Sequence, residues 1–535
     1  MVQVLSVLVI PLLTLFFGYV ASSSIDLSVD TSEYNRPLIH FTPEKGWMND
    51  PNGLFYDKTA KLWHLYFQYN PNATAWGQPL YWGHATSNDL VHWDEHEIAI
   101  GPEHDNEGIF SGSIVVDHNN TSGFFNSSID PNQRIVAIYT NNIPDLQTQD
   151  IAFSLDGGYT FTKYENNPVI DVSSNQFRDP KVFWHEDSNQ WIMVVLKSQE
   201  YKIQIFGSAN LKNWVLNSNF SSGYYGNQYE CPGLIEVPIE NSDKSKWVMF
   251  LAINPGSPLG GSINQYFVGD FDGFQFVPDD SQTRFVDIGK DFYAFQTFSE
   301  VEHGVLGLAW ASNWQYADQV PTNPWRSSTS LARNYTLRYV HTNAETKQLT
   351  LIQNPVLPDS INVVDKLKKK NVKLTNKKPI KTNFKGSTGL FDFNITFKVL
   401  NLNVSPGKTH FDILINSQEL NSSVDSIKIG FDSSQSSFYI DRHIPNVEFP
   451  RKQFFTDKLA AYLEPLDYDQ DLRVFSLYGI VDKNIIELYF NDGTVAMTNT
   501  FFMGEGKYPH DIQIVTDTEE PLFELESVII RELNK

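Results

Sequence analysis

Trp47-Met-Asn-Asp50-Pro-Asn-Gly53 sets an acid and two amides beside a proline and a glycine, at the head of an apolar run. Alone, the stretch reads as an Asx-Pro turn, since Asp-Pro and Asn-Gly are strong turn signals. Three more stretches share its character: Phe110-Ser111-Gly112-Ser113, Phe177-Arg178-Asp179-Pro180 and Glu230-Cys231-Pro232-Gly233. Asp50, Ser111, Asp179 and Glu230 are 61, 68 and 51 residues apart, and 61 residues further on stands Asp291-Phe-Tyr293-Ala294. A unit recurring about every 60 residues, each copy opening with a polar group on a strand end, predicts a five-bladed β-propeller. The innermost strands of a propeller converge on one axis. Asp50, Asp179 and Glu230 are therefore expected to meet in one funnel.

A second recurring element lies between these markers. Gly83-His-Ala-Thr-Ser-Asn-Asp-Leu-Val-His-Trp93 resembles Gly207-Ser-Ala-Asn-Leu-Lys-Asn-Trp214, with looser copies at Ala152–Phe161 and Gly269–Phe276. Each reads as a strand, an Asx or Gly turn and an aromatic, the outer hairpin of a blade. No long apolar pattern of helical period interrupts the first 355 residues, which argues against an α/β fold. The propeller is expected over residues 30–358. Residues 359–385 break the pattern with eight lysines between Lys366 and Lys381. A solvated linker between domains fits an acidic chain better than a nucleic-acid patch does. From 386 to 535 the text alternates again, as in Phe391-Asp-Phe-Asn-Ile-Thr-Phe-Lys-Val399, and predicts a β-sandwich. The fold class is thus all-β, a propeller followed by a sandwich.

The 535 residues carry a net charge of −23, so nucleic acids and anionic membranes would be repelled, whereas a neutral substrate would not. Residues 1–22 read as a secretory signal with an apolar core from Val4 to Phe17. No other stretch reads as a membrane span. N-x-S/T sequons begin at Asn72, Asn119, Asn120, Asn126, Asn219, Asn334, Asn394, Asn403 and Asn421, which points to an N-glycosylated, extracellular protein, free or held at the cell wall. The single cysteine, Cys231, permits no intrachain disulfide and reads as a small buried filler rather than a nucleophile.

Two carboxylates facing one sugar bond are what glycosidic cleavage needs, and a third can steady the positive transition state. Arg178 is expected to hold Asp179 ionised through a direct, bidentate pair. The motifs at 47–53, 110–112, 178–180 and 230–232, with Phe67-Gln68-Tyr69-Asn70-Pro71, Trp76-Gly77, Asp291-Phe-Tyr293 and Trp325-Arg326, resemble glycoside hydrolase family 32 in order and spacing. The stretch Val481-Asp-Lys-Asn-Ile-Ile-Glu487…Asn491-Asp492-Gly493 is similar to that family's sandwich signature.

The resemblance implies a propeller joined to a sandwich, with no metal and no organic cofactor. It implies Asp50 as nucleophile, Glu230 as general acid/base and Asp179 as transition-state stabiliser. Asn49, Gln68, Ser111 and Arg178 would hydrogen-bond a fructosyl unit, and Trp76, Phe110 and Trp314 would wall the pocket, unless they serve only blade packing. The expected activity is retaining cleavage of terminal β-D-fructofuranosyl residues, chiefly from the small molecule sucrose and from fructo-oligosaccharides, with some transfer to sugar acceptors. Inulin- or levan-type fructans are the rival substrates, and a catalytically dead fructan-binding lectin is the rival function. A homodimer through the sandwich domain is expected.

Overall fold

The computed structural model of the chain describes residues 33–535 apart from 344, 385–386, 401–408, 446, 448, 450–453 and 470–471. The expected signal peptide (1–22) and the Asn403 sequon lie outside the described residues. Among the described residues no helix is long and apolar enough to cross a membrane.

Five sheets follow one another in chain order. Their first strands are Gly46–Asp57, Gly108–Val116, Phe177–His185, Tyr229–Pro238 and Tyr293–Thr297, and each pairs antiparallel with the next strand in sequence. These first strands touch one another across blade boundaries and form the inner ring. Trp325–Arg326 returns from the fifth unit to pair in parallel with Gly46–Trp47 of the first, which closes the circle. Closure leaves the ring without an open seam.

The outer turns come from one local chemistry. Asp89, Asp156, Asn210 and Asp272 each accept two backbone N–H bonds from residues two to four positions on. Asn343 does the same in the fifth blade, with Glu345 and Thr346. Each side chain thereby satisfies amides that the tight turn removes from the ladder.

The sandwich has a seven-stranded and a six-stranded sheet. Phenylalanines 391, 393, 397, 411, 431, 438, 475, 490 and 523 fill the space between them, all buried. The lysine-rich segment is not a linker. Asn362–Leu374 forms a thirteen-residue edge strand against Phe523–Asn534, and Ile380–Asn383 pairs with Pro509–Thr516. Being an edge strand explains the lysines: most of Asn362–Leu374 is exposed, and charge on an open edge discourages pairing with other chains.

The propeller and sandwich are joined by buried ions. Asp482 accepts the backbone N–H groups of Leu38, Ile39 and His40, and His40 Nδ1 at 2.8 Å. Glu487 meets His40 Nε2 at 3.2 Å, the Leu331 amide at 2.7 Å and Arg333 at 2.8 Å. Arg333 also donates to Asp287 at 2.9 Å. Arg442 of the sandwich donates to Asp291 at 2.7 Å. The fifth marker, Asp291, is therefore an interface anchor and not a funnel carboxylate; its side chain is engaged by Tyr316, Arg442 and Thr500.

Candidate active site

Every inner strand carries the same defect. Met48 pairs with Tyr69 and Pro51 with Phe67, so three steps on one strand match two on its neighbour. The same one-residue excess separates Ile109 from Gly112, Arg178 from Lys181, Glu230 from Gly233 and Tyr293 from Gln296. A bulge frees the inserted residues from the ladder and re-aims their side chains. The bulged pairs are Asn49-Asp50, Phe110-Ser111, Asp179-Pro180, Cys231-Pro232 and Ala294-Phe295. Asp179, Cys231 and Ala294 occupy the left-handed region, with φ of 67°, 46° and 52°, a strained conformation for residues with a Cβ and one that clusters at functional sites.

The bulges open into a pocket of about 350 Å³, large enough for a small sugar. Asn49, Asp50, Gln68, Trp76, Phe110, Ser111, Arg178, Asp179, Glu230 and Trp314 all line it. The sequence markers do not occupy equivalent places, however. Asp50 and Ser111 are second bulge residues, Asp179 is a first, and Glu230 stands just before its bulge. The first bulge residues, at 49, 110, 179, 231 and 294, are 61, 69, 52 and 63 apart, so the uneven marker intervals reflect blades of unequal length.

Asp50 is held from two sides. Asn49 Nδ2 donates to its Oδ1 at 2.9 Å, and the Ser111 hydroxyl donates to its Oδ2 at 2.7 Å. Trp47 Nε1 fixes the Asn49 oxygen at 2.8 Å, which leaves the amide nitrogen facing Asp50. The Cys231 thiol lies 3.4 Å from Asp50 and 3.9 Å from Asp179. Burial, then the surrounding carboxylates, push this thiol up, so it stays protonated and is a poor nucleophile.

Asp179 accepts the Cys231 amide at 3.0 Å, and its own amide donates to Thr140 Oγ1 at 3.0 Å. Burial pushes its carboxyl up to about 7, opposed by the positive charge of Arg178. The direct Arg178–Asp179 pair does not form. Arg178 reaches past its neighbour to Glu230 Oε1 at 3.2 Å and is steadied by Gln176 at 2.9 Å. Asp179 turns out of the strand at the bulge while Arg178 stays in register, so the guanidinium reaches across to the acid of the next blade. Its field still acts on Asp179 through space.

Glu230 is the most heavily attended acid. Gln228 donates to Oε1 at 2.9 Å, and the Tyr293 hydroxyl donates to Oε2 at 2.5 Å. Burial nonetheless raises its carboxyl above the ordinary range, with Arg178 and Tyr293 lowering it and Asp50 raising it. Gln228, Tyr293, Gln147, Gln176 and Asn254 belong to the pocket or touch its acids and were not singled out as binding groups. A period-two pattern marks two of them: Gln176 precedes Arg178, and Gln228 precedes Glu230, by two residues each. Among the aromatics, Trp314 packs on Trp47 and Trp310 at 5.8 and 5.0 Å, whereas Trp76 stands 47% exposed at the rim.

Such a site can supply one ionised carboxylate, one proton-bearing carboxyl and a third acid beneath a single sugar ring. Residues 40–355 match the Glycosyl hydrolases family 32 N-terminal domain, and residues 362–528 match the Glycosyl hydrolases family 32 C terminal domain. The chain belongs to glycoside hydrolase family 32. Within the family, an invertase of Schwanniomyces occidentalis is 94% identical over 536 residues, 100% of both chains. An extracellular exo-inulinase of Meyerozyma guilliermondii is 58% identical over 473 residues, 88% of this chain and 90% of the other. Solved structures of β-fructofuranosidase from Schwanniomyces occidentalis, one complexed with fructosyl-erythritol and one an E230A form complexed with fructosylnystose, each match with a TM-score of 0.94. They are 99% identical and cover 96% of this chain and 100% of the solved one. The five-bladed propeller and sandwich are the family 32 architecture.

Proposed function

We propose that this chain is a secreted β-fructofuranosidase that removes terminal non-reducing β-D-fructofuranosyl residues with retention, chiefly from sucrose, and passes some of them to sugar acceptors. The observation that carries the reading is the convergence of Asp50, Asp179 and Glu230, from three separate blades, on one small pocket. The fructosyl ligands of the Schwanniomyces occidentalis structures support the substrate class, and the word extracellular in the name of the Meyerozyma guilliermondii relative supports secretion.

In this reading Asp50 attacks the anomeric carbon. Asn49 and Ser111 hold its two oxygens, so the attacking geometry is set before substrate arrives. Glu230, whose carboxyl burial raises, gives its proton to the leaving glucosyl oxygen. Glucose departs and a fructosyl ester remains on Asp50. Glu230, now anionic, takes a proton from water as that water attacks the ester, which restores both acids. Asp179 receives hydrogen bonds from fructosyl hydroxyls. Those bonds favour its ionised form and bring a negative charge under the positive transition state. Gln68, Arg178, Trp76, Phe110 and Trp314 orient the fructosyl unit.

The deciding assay is release of glucose and fructose from sucrose, 1-kestose, inulin and levan, side by side. Sucrose is expected to be cleaved fastest, and faster release from inulin or levan would overturn that preference. A second sugar bound outside the pocket has a high effective concentration relative to water. Fructo-oligosaccharides are therefore expected among the products at molar sucrose, and equal glucose and fructose alone would refute transfer. The sandwich is proposed to pair two chains, and light scattering should return twice the mass of one chain.

A further inference from the structure

The propeller has a second mouth. Opposite the active site a cavity of about 460 Å³ opens between the far ends of the inner strands. Its apolar wall includes Trp184 and Trp191, its rim carries Glu186, Glu236 and Glu300, and Asn119 stands at its lip. No part of the chemistry above uses it.

Two overlapping sequons fall on this lip, Asn119-Asn120-Thr121 and Asn120-Thr121-Ser122. The loop is tightly built. Asp117 accepts the amides and hydroxyls of both Thr121 and Ser122. Asn120 clamps the far side: its Nδ2 donates to Phe125 O at 2.7 Å and its Oδ1 accepts Phe125 N at 3.0 Å. His118 is occupied by Glu300 at 3.0 Å. The cavity wall joins in, since Trp191 Nε1 donates to the Thr121 hydroxyl at 2.9 Å. From His118 to Ser122, Asn119 alone has a side chain that makes no hydrogen bond, and it is exposed. A sugar on Asn120 would sit on a half-buried amide whose nitrogen and oxygen are both fixed by Phe125, so it could not turn outward without losing both bonds. A sugar on Asn119 would displace nothing, and would start at the edge of a cavity with an aromatic wall and acceptor groups at its rim.

We infer that Asn119, not Asn120, is the glycosylated residue of this pair, and that the first sugars of its N-linked glycan lie in the second-mouth cavity. The inference rests on the reading that the chain is secreted. Seated there, the glycan would cover the apolar wall that the ring leaves open.

The full chain should be secreted from a eukaryotic host and its glycans released enzymatically in ¹⁸O-labelled water, which marks each formerly occupied asparagine as labelled aspartate. Label is expected at 119 and absent at 120, lost in Asn119→Gln and kept in Asn120→Gln. Label at 120, or at neither while Asn72 or Asn126 is labelled, would overturn the assignment. Absence of label at every sequon would instead defeat the secretion reading, and the inference with it. Seating is tested by release from the folded protein. A seated glycan must leave the cavity before its linkage is reached, so release at 119 should be roughly tenfold slower than at exposed Asn72. Trp184→Ala, or Val301→Trp should the first variant fail to fold, should remove that difference. Equal rates in the unaltered protein would refute the seat.

Discussion

Two clusters of buried carboxylates divide this molecule's polar chemistry. At the domain interface Asp287, Asp291, Asp482 and Glu487 face Arg333, Arg442 and His40, and each acid is met by a cation or by several amides. In the pocket Asp50, Asp179 and Glu230 share one arginine, which touches only Glu230. The outcome is opposite. Glu487 is drawn down to about 2, with Arg333 and His40 overcoming the cost of burial. Asp179 is pushed up to about 7 because Arg178 and the Cys231 amide offset its burial only in part. A satisfied acid is structural. An acid left short of positive charge is free to exchange protons and to accept hydrogen bonds from a ligand.

The contrast can be broken from either side. The largest effect is expected in the pocket: Asp50→Ala and Glu230→Ala should each lower turnover on sucrose by roughly a thousandfold or more, the scale of losing a nucleophile or general acid. Their melting temperatures should match the unaltered protein, because neither residue supports the core. A large drop in melting temperature would instead make these acids structural. At the interface the pattern should invert. Arg333→Met leaves Asp287 buried without a cation and Glu487 with His40 as its one remaining cation, at a cost of about 3–5 kcal/mol. Denaturant titration should show that loss, while kcat for the remaining folded enzyme stays near the original value.

Tyr293→Phe sharpens the comparison within the pocket. The hydroxyl stabilises the ionised form of Glu230, so its removal should raise the Glu230 carboxyl further. A general acid works while protonated, so the alkaline limb of the kcat/KM profile should move to higher pH by roughly one unit, the equivalent of one strong hydrogen bond. An unmoved or downward-shifted limb would separate Tyr293 from the proton.

The smallest effect concerns the interface and pH. His40 donates from both ring nitrogens and is raised to about 9 from an ordinary 6.5, its two carboxylate partners outweighing burial. A raised pKa means that its contribution is fully present below pH 6.5 and is lost as pH rises through 9. Glu487, lowered from 4.5 to about 2, contributes fully above pH 4.5 and loses that contribution as pH falls through 2. The lock is therefore complete between those ordinary values, and the melting temperature should decline from pH 7 to 9.5. In His40→Gln that slope should be smaller.

The fold was legible because each blade repeats its length and its Asx-closed outer turn, so Asp89, Asp156, Asn210 and Asp272 announce the hairpins without tertiary information. The lining of the pocket was legible from motifs at strand heads. What escaped depends on contacts between blades. The sequence pairs Arg178 with its chain neighbour, but the bulge turns Asp179 out of the strand and leaves Arg178 to Glu230. Asp291 keeps the repeat interval, yet lies two residues ahead of its strand and turns toward Arg442. The lysines of Asn362–Leu374 hide a strand because an edge exposes side chains that a central strand would bury. Tyr293 sits in the Asp291-Phe-Tyr293 motif and Gln228 two residues ahead of Glu230, but the bond each makes to that acid becomes visible only in the fold.

The shared bulge has a consequence for how such a pocket changes. Five strands each offer two residues that owe nothing to the ladder on either side. Asn49, Asp50, Phe110, Ser111 and Asp179 use five of these places in the pocket, whereas Ala294 and Phe295 are buried in the core of the fifth blade. Those places that face the pocket can be rewritten without moving a strand register. The ring is in that sense a socket whose terminals are wired blade by blade, facing the pocket on the first three and sealed into the core on the fifth.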